Sequence, residues 1–275
     1  MSLPLEGAVA VVTGASRGVG KGIALGLGEA GATVVVTGRT SEGGGALPGT
    51  LTETADAVTA RGGRGVARRC DHAKDDEVAT LFAWVRESFG RLDVLVNNAF
   101  AVPAPPLARS FWELPLSTWD TMHQVGLRSH YVASVYGVPL MLATTAVPHR
   151  SRLIVNVSSF GGLHYAINTA YGVGKAGVDR FSRDAAKELR PHGVAVVSLY
   201  PGIVKTERVL ADVDGVGFDL SNSESPVFSG RAVAALAADD RVLGRSGKVL
   251  VVAELASEYG FTDEGRHVPT SLRRP

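Results

Sequence analysis

Seven short runs of mainly β-branched and other apolar residues recur along the chain, at Val9–Thr13, Thr33–Thr37, Gly65–Cys70, Val94–Asn97, Leu153–Val157, Ala195–Tyr200 and Lys248–Val252. They read as nearly continuous apolar segments, the pattern of strands covered on both faces. Helical patterns lie between them, over about Gly18–Ala30, Thr52–Arg61, Asp75–Phe89, Trp119–Leu142, Ala170–Leu189 and Gly230–Ala238. Asp75 is a helix-opening signal, and Gly31 and Gly90 are closing ones. Repeated β-α-β units demand right-handed crossovers. The expectation is an α/β fold: a doubly wound, seven-stranded parallel sheet with helices on both faces.

Two segments break the rhythm. Ser41–Gly49 is Gly-rich and follows the second strand, and Phe100–Pro115 carries prolines at 103, 105, 106 and 115. Long loops in a compact domain are often functional. Neither an internal repeat nor a domain linker is visible.

Composition narrows the classes. A chain of 275 residues, 45% hydrophobic, can bury a substantial core. Its net charge of +1 and its lack of a dense Lys/Arg run speak against nucleic acid or an anionic membrane as a partner. Cys70 is the one cysteine, so no intrachain disulfide can form and a reducing compartment fits. No apolar stretch reaches the ~20 residues of a spanning helix, and the few residues before the first strand lead us to expect no secretory leader. The expected location is cytoplasmic. The seven histidines show no metal-ligand spacing, so no metal site is expected.

Candidate chemistry sits at two places. Thr13-Gly14-Ala15-Ser16-Arg17-Gly18-Val19-Gly20 follows the first strand and opens the first helix. Glycines there allow a tight turn and let backbone N–H groups meet an anion at the positive helix end. The second strand ends in Gly38-Arg39, where an acidic residue would bind ribose hydroxyls and select NAD. Arg39 and Arg17 suit a 2′-phosphate instead, which predicts NADP(H) over NAD(H). The same turn also spells G-x-S-x-G, so a serine hydrolase using Ser16 is a rival, although only one strand precedes it.

The second place is Tyr171-Gly172-Val173-Gly174-Lys175. On a helix, residues four apart share a face. A neighbouring ammonium stabilises a phenolate, so Lys175 is expected to lower the Tyr171 pKa and make the phenol a general acid/base.

From about residue 5 to 255 these motifs resemble the short-chain dehydrogenase/reductase family. Thr13–Gly20 is similar to its T-G-x-x-x-G-x-G, Asn97-Asn98-Ala99 to N-N-A-G, and Pro201-Gly202-Ile203-Val204-Lys205-Thr206 to P-G-x-x-x-T. Phe111-Trp112-Glu113, Val125–Arg128 and Tyr171–Lys175 resemble the family's subgroup of dehydrogenase/reductase SDR family member one. The resemblance implies a single Rossmann-fold domain over 1–275, with a nucleotide half at about 5–150 and a catalytic half at about 151–260. It implies that Asp71 contacts adenine, that Asn98 borders the cofactor, and that Pro201, Gly202, Val204 and Thr206 line the nicotinamide. Lys175 is expected to bind the nicotinamide ribose, and a homodimer or homotetramer is expected. Three departures stand out. Phe100 replaces the glycine of N-N-A-G, Gly126 replaces a usual Asn of the catalytic tetrad, and the catalytic serine is Ser158 by spacing or Ser159 by strand register, with Ser159 favoured. Phe100, the Pro-rich loop with Phe111 and Trp112, His164, Tyr165 and segment 204–228 are expected to contact a hydrophobic carbonyl or alcohol, 207–228 as a lid. A catalytically weak, cofactor-binding sensor or scaffold is the remaining alternative.

Overall fold

Parallel pairing of β1 (Val9–Thr13) with β2 (Thr33–Gly38) begins the sheet, with Thr13 opposite Thr37. The computed structural model describes residues 3–43, 47–103, 107, 109–145, 151–211 and 219–273. β3 (Arg64–Arg69) lies outside β2, while β4 (Val94–Asn97), β5 (Arg152–Val157), β6 (Val194–Tyr200) and β7 (Val249–Val251) continue on the other side of β1. The order is β3-β2-β1-β4-β5-β6-β7, every pair parallel. The direction of winding reverses between β1 and β4, so the strand ends there open a crevice.

Strand periodicity feeds two cores. Val12, Val34, Val36, Val96, Val155 and Val197 enter one, while Val11, Val35, Leu95, Ile154 and Val196 enter the other. Successive side chains on a strand point to opposite faces, which is why both sides need helical cover. On the first face α1 (Gly18–Glu29) crosses α8 (Pro226–Ala238) at backbone contact. A Cβ on Gly22 would fall 1.9 Å from the Pro226 carbonyl oxygen, and one on Gly26 would fall 2.3 Å from the Gly230 carbonyl carbon. On the second face α3 (Asp75–Phe89), α5 (Ser129–Ala143) and α6 (Thr169–Leu189) cover the strands, and buried amides tie α5 and α6 to them. Asn97 Nδ2 donates to Asn156 Oδ1 at 2.8 Å and to Ser134 Oγ at 3.1 Å, and Asn156 Nδ2 donates to Ser182 Oγ at 2.9 Å.

Several elements differ from the sequence expectation. β3 is an edge strand with Arg64, Arg68 and Arg69 exposed, so it is not apolar on both faces. Helix α2 (Leu51–Ala60) starts with a complete capping box between Thr50 and Glu53. The expected Trp119–Leu142 helix is three pieces: α4 (Leu116–His123), a π turn (Gln124–Arg128), and α5. The last strand is only three residues long, because Val252 starts α9 (Val252–Tyr259). Val252, Ala253, Leu255 and Ala256 bury a helical stripe there. A short helix α7 (Glu207–Ala211) follows β6. Among the described residues no helix is long and apolar enough to cross a membrane.

Candidate active site

The glycine turn is fastened to the crevice from both sides. Thr13 Oγ1 accepts from the Asn98 and Ala99 N–H groups at 2.9 and 3.0 Å, and Asn98 Nδ2 donates to the carbonyls of Thr13 and Gly14 at 2.9 and 3.0 Å. A Cβ at Gly20 would lie 2.4 Å from both Asn98 Nδ2 and the Gly14 oxygen, so only glycine fits. A cleft of about 360 Å³ opens beside the turn, walled by Ser16, Arg39, Asp71, Asn98 and Phe100 among others.

An anion already tests the chemistry of this turn. The Gly18 N–H at the start of α1 donates to Glu207 Oε2 at 2.8 Å. A carboxylate is a fair stand-in for a phosphate, since both are drawn to a helix N-terminus by its free N–H groups and dipole. The turn therefore fits the pyrophosphate of a dinucleotide, and Gly14, Ser16, Gly18, Val19 and Gly20 are the residues that would cradle it. Sequence reasoning missed Glu207, which no motif marks beyond its place after Thr206.

Other nucleotide-side residues divide. Arg39 is exposed beside the cleft. Arg17 lines the cleft too, with two of its nitrogens engaged by the neighbouring loop: its Nε donates to the Pro48 carbonyl at 3.0 Å and its Nη2 to the Gly49 carbonyl at 2.9 Å. Its role in this structure is to hold the loop before α2. Arg208, which the sequence did not single out, lines the same cleft. Asp71 is fixed by the Ala73 N–H, which donates to its Oδ1 at 3.1 Å. The neighbouring His72 is buried and 2.8 Å from Thr37 Oγ1; burial pushes it down to about 4, so it is neutral. No histidine among the described residues hydrogen-bonds Ser16, the nucleophile of the hydrolase alternative.

At the other end of the crevice, α6 delivers Tyr171. Asn168 caps the helix, its side chain accepting from the Tyr171 N–H at 2.9 Å. His123 on α4 reaches the Ala170 carbonyl at 2.9 Å and steadies the same turn. The Tyr171 hydroxyl meets Ser159 Oγ at 2.8 Å. Ser158 points away: it is buried and its hydroxyl donates to the Lys175 carbonyl at 3.1 Å. Strand alternation carried past the end of β5 separates the two serines.

One turn on, Lys175 is buried and donates from Nζ to the Val157 carbonyl at 3.2 Å. Burial brings it down to about 8, with Asp179 opposing the shift. Tyr171 lies above its usual range, because burial disfavours the phenolate more than the Ser159 hydroxyl supports it. This corrects the expectation of a phenol acidified by Lys175. The ammonium sits 5.8 Å from the centre of the Tyr171 ring.

The P-G-x-x-x-T segment returns to the glycine turn. A Cβ on Gly18 would lie 3.4 Å from Thr206 Cγ2, and Pro201 and Val204 are buried below. Gly202 backs onto Glu224, its added Cβ 3.1 Å from Oε2. The expected substrate residues are less gathered. Phe100 turns inward and packs edge-to-face on Tyr171, centroids 5.8 Å apart. His164 and Tyr165 are exposed and line a different cleft with Phe160 and Leu272. Phe111 and Trp112 are exposed and pack on each other at 5.2 Å. Residues 104–106, 108 and 212–218, part of the expected substrate loop and lid, lie outside the described residues.

Comparison with known proteins agrees with this geometry. The short chain dehydrogenase family profile matches residues 8–214. Dehydrogenase/reductase SDR family member 1 from Mus musculus is 49% identical over 98% of this chain and 87% of its own. The protein of that name from Homo sapiens is 47% identical over 99% and 88%. A 3-oxoacyl-(acyl-carrier protein) reductase from Brucella melitensis, solved in complex with NAD, superposes with a TM-score of 0.75 at 26% identity, covering 89% of this chain and 95% of that one. Crevice, motifs and relatives converge: the chain belongs to the short-chain dehydrogenase/reductase family of NAD(P)-dependent oxidoreductases.

Proposed function

We propose that the protein interconverts a hydrophobic ketone or aldehyde and its alcohol, with NADP(H) as cofactor and Tyr171 as general acid/base. The observation that carries this reading is the pair of hydroxyls 2.8 Å apart, Ser159 Oγ and Tyr171 OH, at the mouth of the crevice. A bound nicotinamide cofactor would supply the hydride chemistry. In the reducing direction Tyr171 gives its phenolic proton to the carbonyl oxygen, and Ser159 hydrogen-bonds the same oxygen as charge develops. A tyrosine held above its usual pKa keeps that proton at neutral pH, which suits the reducing direction. Lys175 binds the nicotinamide ribose and supplies positive charge beside the phenol.

The preference for NADP(H) is supported by Arg39 at the rim of the cleft and by Gly38 where an acidic residue would serve NAD. Arg17, committed to two loop carbonyls, lends it less support. Assembly as a homodimer or homotetramer is part of the reading: exposed Tyr131 and Val135 on α5 and Val173 on α6 offer apolar surface.

Steady-state kinetics with NADPH and NADH over a panel of carbonyls tests the proposal. We expect a lower KM for NADPH and turnover of apolar ketones or aldehydes. Tyr171→Phe should cut kcat by ~10² or more while cofactor affinity is retained, the scale of general acid/base effects. Cofactor binding without turnover across the panel would favour the sensor, and equal kcat in the Phe variant would remove Tyr171 from the mechanism.

A further inference from the structure

Phe100 and Gly126 lie 26 positions apart in the sequence, yet each makes the other possible. Phe100 follows the end of β4, and its half-buried ring leans into the π turn that holds Gly126. A Cβ at 126 would stand 2.6 Å from Phe100 Cδ2 and 2.7 Å from Cε2, far inside contact distance. Any other residue at 126 would push the ring away. The space opened by glycine and by the wider π turn is filled by the ring, and the ring has a definite use. Lys175 Nζ sits over it, 4.9 Å from the centroid, nearer than to the Tyr171 ring at 5.8 Å.

Lys175 needs such a neighbour. An ammonium has three protons to donate, and among the described residues this one has a single protein acceptor, the Val157 carbonyl. The charged groups around it are few. Asp179, on its own helix, favours the cation. Tyr171 shares its face of α6. His130, from α5, is pushed down to about 3 by burial and by Lys175 itself, so it is neutral and adds no repulsion. A ring face carries partial negative charge and attracts a cation within about 6 Å, most strongly where water is excluded.

We propose that Phe100, given room by Gly126, is a positioning residue whose π face holds the Lys175 ammonium in its charged form beside Tyr171, in place of a polar side chain at position 126. The proposal deepens the oxidoreductase reading above and rests on it for the role of Tyr171. The contact between ring and cation is independent of that reading. The two substitutions are then one device, and neither is expected to work without the other.

The test replaces Phe100 with mono-, di- and trifluorinated phenylalanine, which drain charge from the ring face with little change of shape. Phe100→Leu and Phe100→Tyr serve as the non-aromatic and aromatic controls. The direct readout is the pKa of Lys175, followed by NMR of the isotope-labelled Cε methylene in the full-length protein without cofactor. We expect the pKa to fall stepwise along the fluorinated series, by about one unit in total, to fall at least as far in Phe100→Leu, and to stay put in Phe100→Tyr. A Lys175 pKa that ignores fluorination overturns the proposal, even if turnover falls. A stepwise shift in a protein that turns over no carbonyl upholds the ring–cation pair and defeats the oxidoreductase reading alone.

Discussion

Glu207 carries the most direct prediction at the scale of single residues. Its carboxylate accepts the Gly18 N–H that a cofactor phosphate would need, so the two compete for one donor. Glu207→Gln removes the charge that makes the side chain a good rival. Calorimetric titration should give a cofactor Kd lower by roughly 3–10-fold, the scale of a charged group at a helix end; an unchanged or weaker Kd would show that the carboxylate is not a competitor. The serines offer a second comparison. Ser159→Ala deletes the hydroxyl facing Tyr171, and Ser158→Ala deletes a buried bond to the Lys175 carbonyl. The first should lower kcat by ~10²-fold with little effect on melting temperature. The second should leave kcat within a few-fold and destabilise by about 1 kcal/mol. The reverse pattern would exchange their roles.

At the scale of elements, the α1–α8 crossing is the tightest joint. Gly26→Ala would drive a methyl group into the Gly230 backbone, which cannot yield as a flexible side chain would. Overpacking of this kind costs about 3 kcal/mol, and thermal unfolding should fall by roughly 6–10 °C in a chain of this size; a loss under 2 °C would mean that the helices part easily. The same elements explain what could be read without coordinates. Strands β1, β2, β4, β5 and β6 announce themselves because burial on both faces makes them uniformly apolar, and the turn Thr13–Gly20 because its glycines have no substitute. β3 was legible in place but not in character, its arginines being a property of an edge. The π turn could not be read, since a helical period persists through it and one glycine does not specify a widened turn. Lys175 was found by its spacing to Tyr171. Its effect on the phenol is not legible there, because the shift of Tyr171 is set by burial, a property of the whole fold, with the Ser159 hydroxyl opposing it.

At the scale of the whole molecule, buried titratable groups set how stability follows pH. Burial raises Glu224 from 4.5 to about 7, with Asp263 adding to the shift. A carboxyl with a raised folded pKa contributes no penalty below its unfolded pKa. Stability is lost as pH climbs from 4.5 to about 7 and stays lost above. His72 and His130, lowered from 6.5 to about 4 and about 3, act oppositely, losing stability as pH falls below 6.5. Glu224→Gln should therefore stabilise the protein at pH 8 by about 2–3 kcal/mol relative to its effect at pH 4.5, read from denaturant midpoints. An equal effect at the two pH values would mean that Glu224 is not the titrating group. Scale also bears on how copies of the chain can meet. The β3 margin presents a fringe of guanidinium groups, with Arg68 stacked 4.8 Å over Trp84 and Arg64 5.7 Å over Phe89. A strand arriving from another molecule would have to strip water from those cations and unseat them. Lateral growth of the sheet is thereby closed on one flank, and any continuous sheet across two subunits has only the β7 side on which to form.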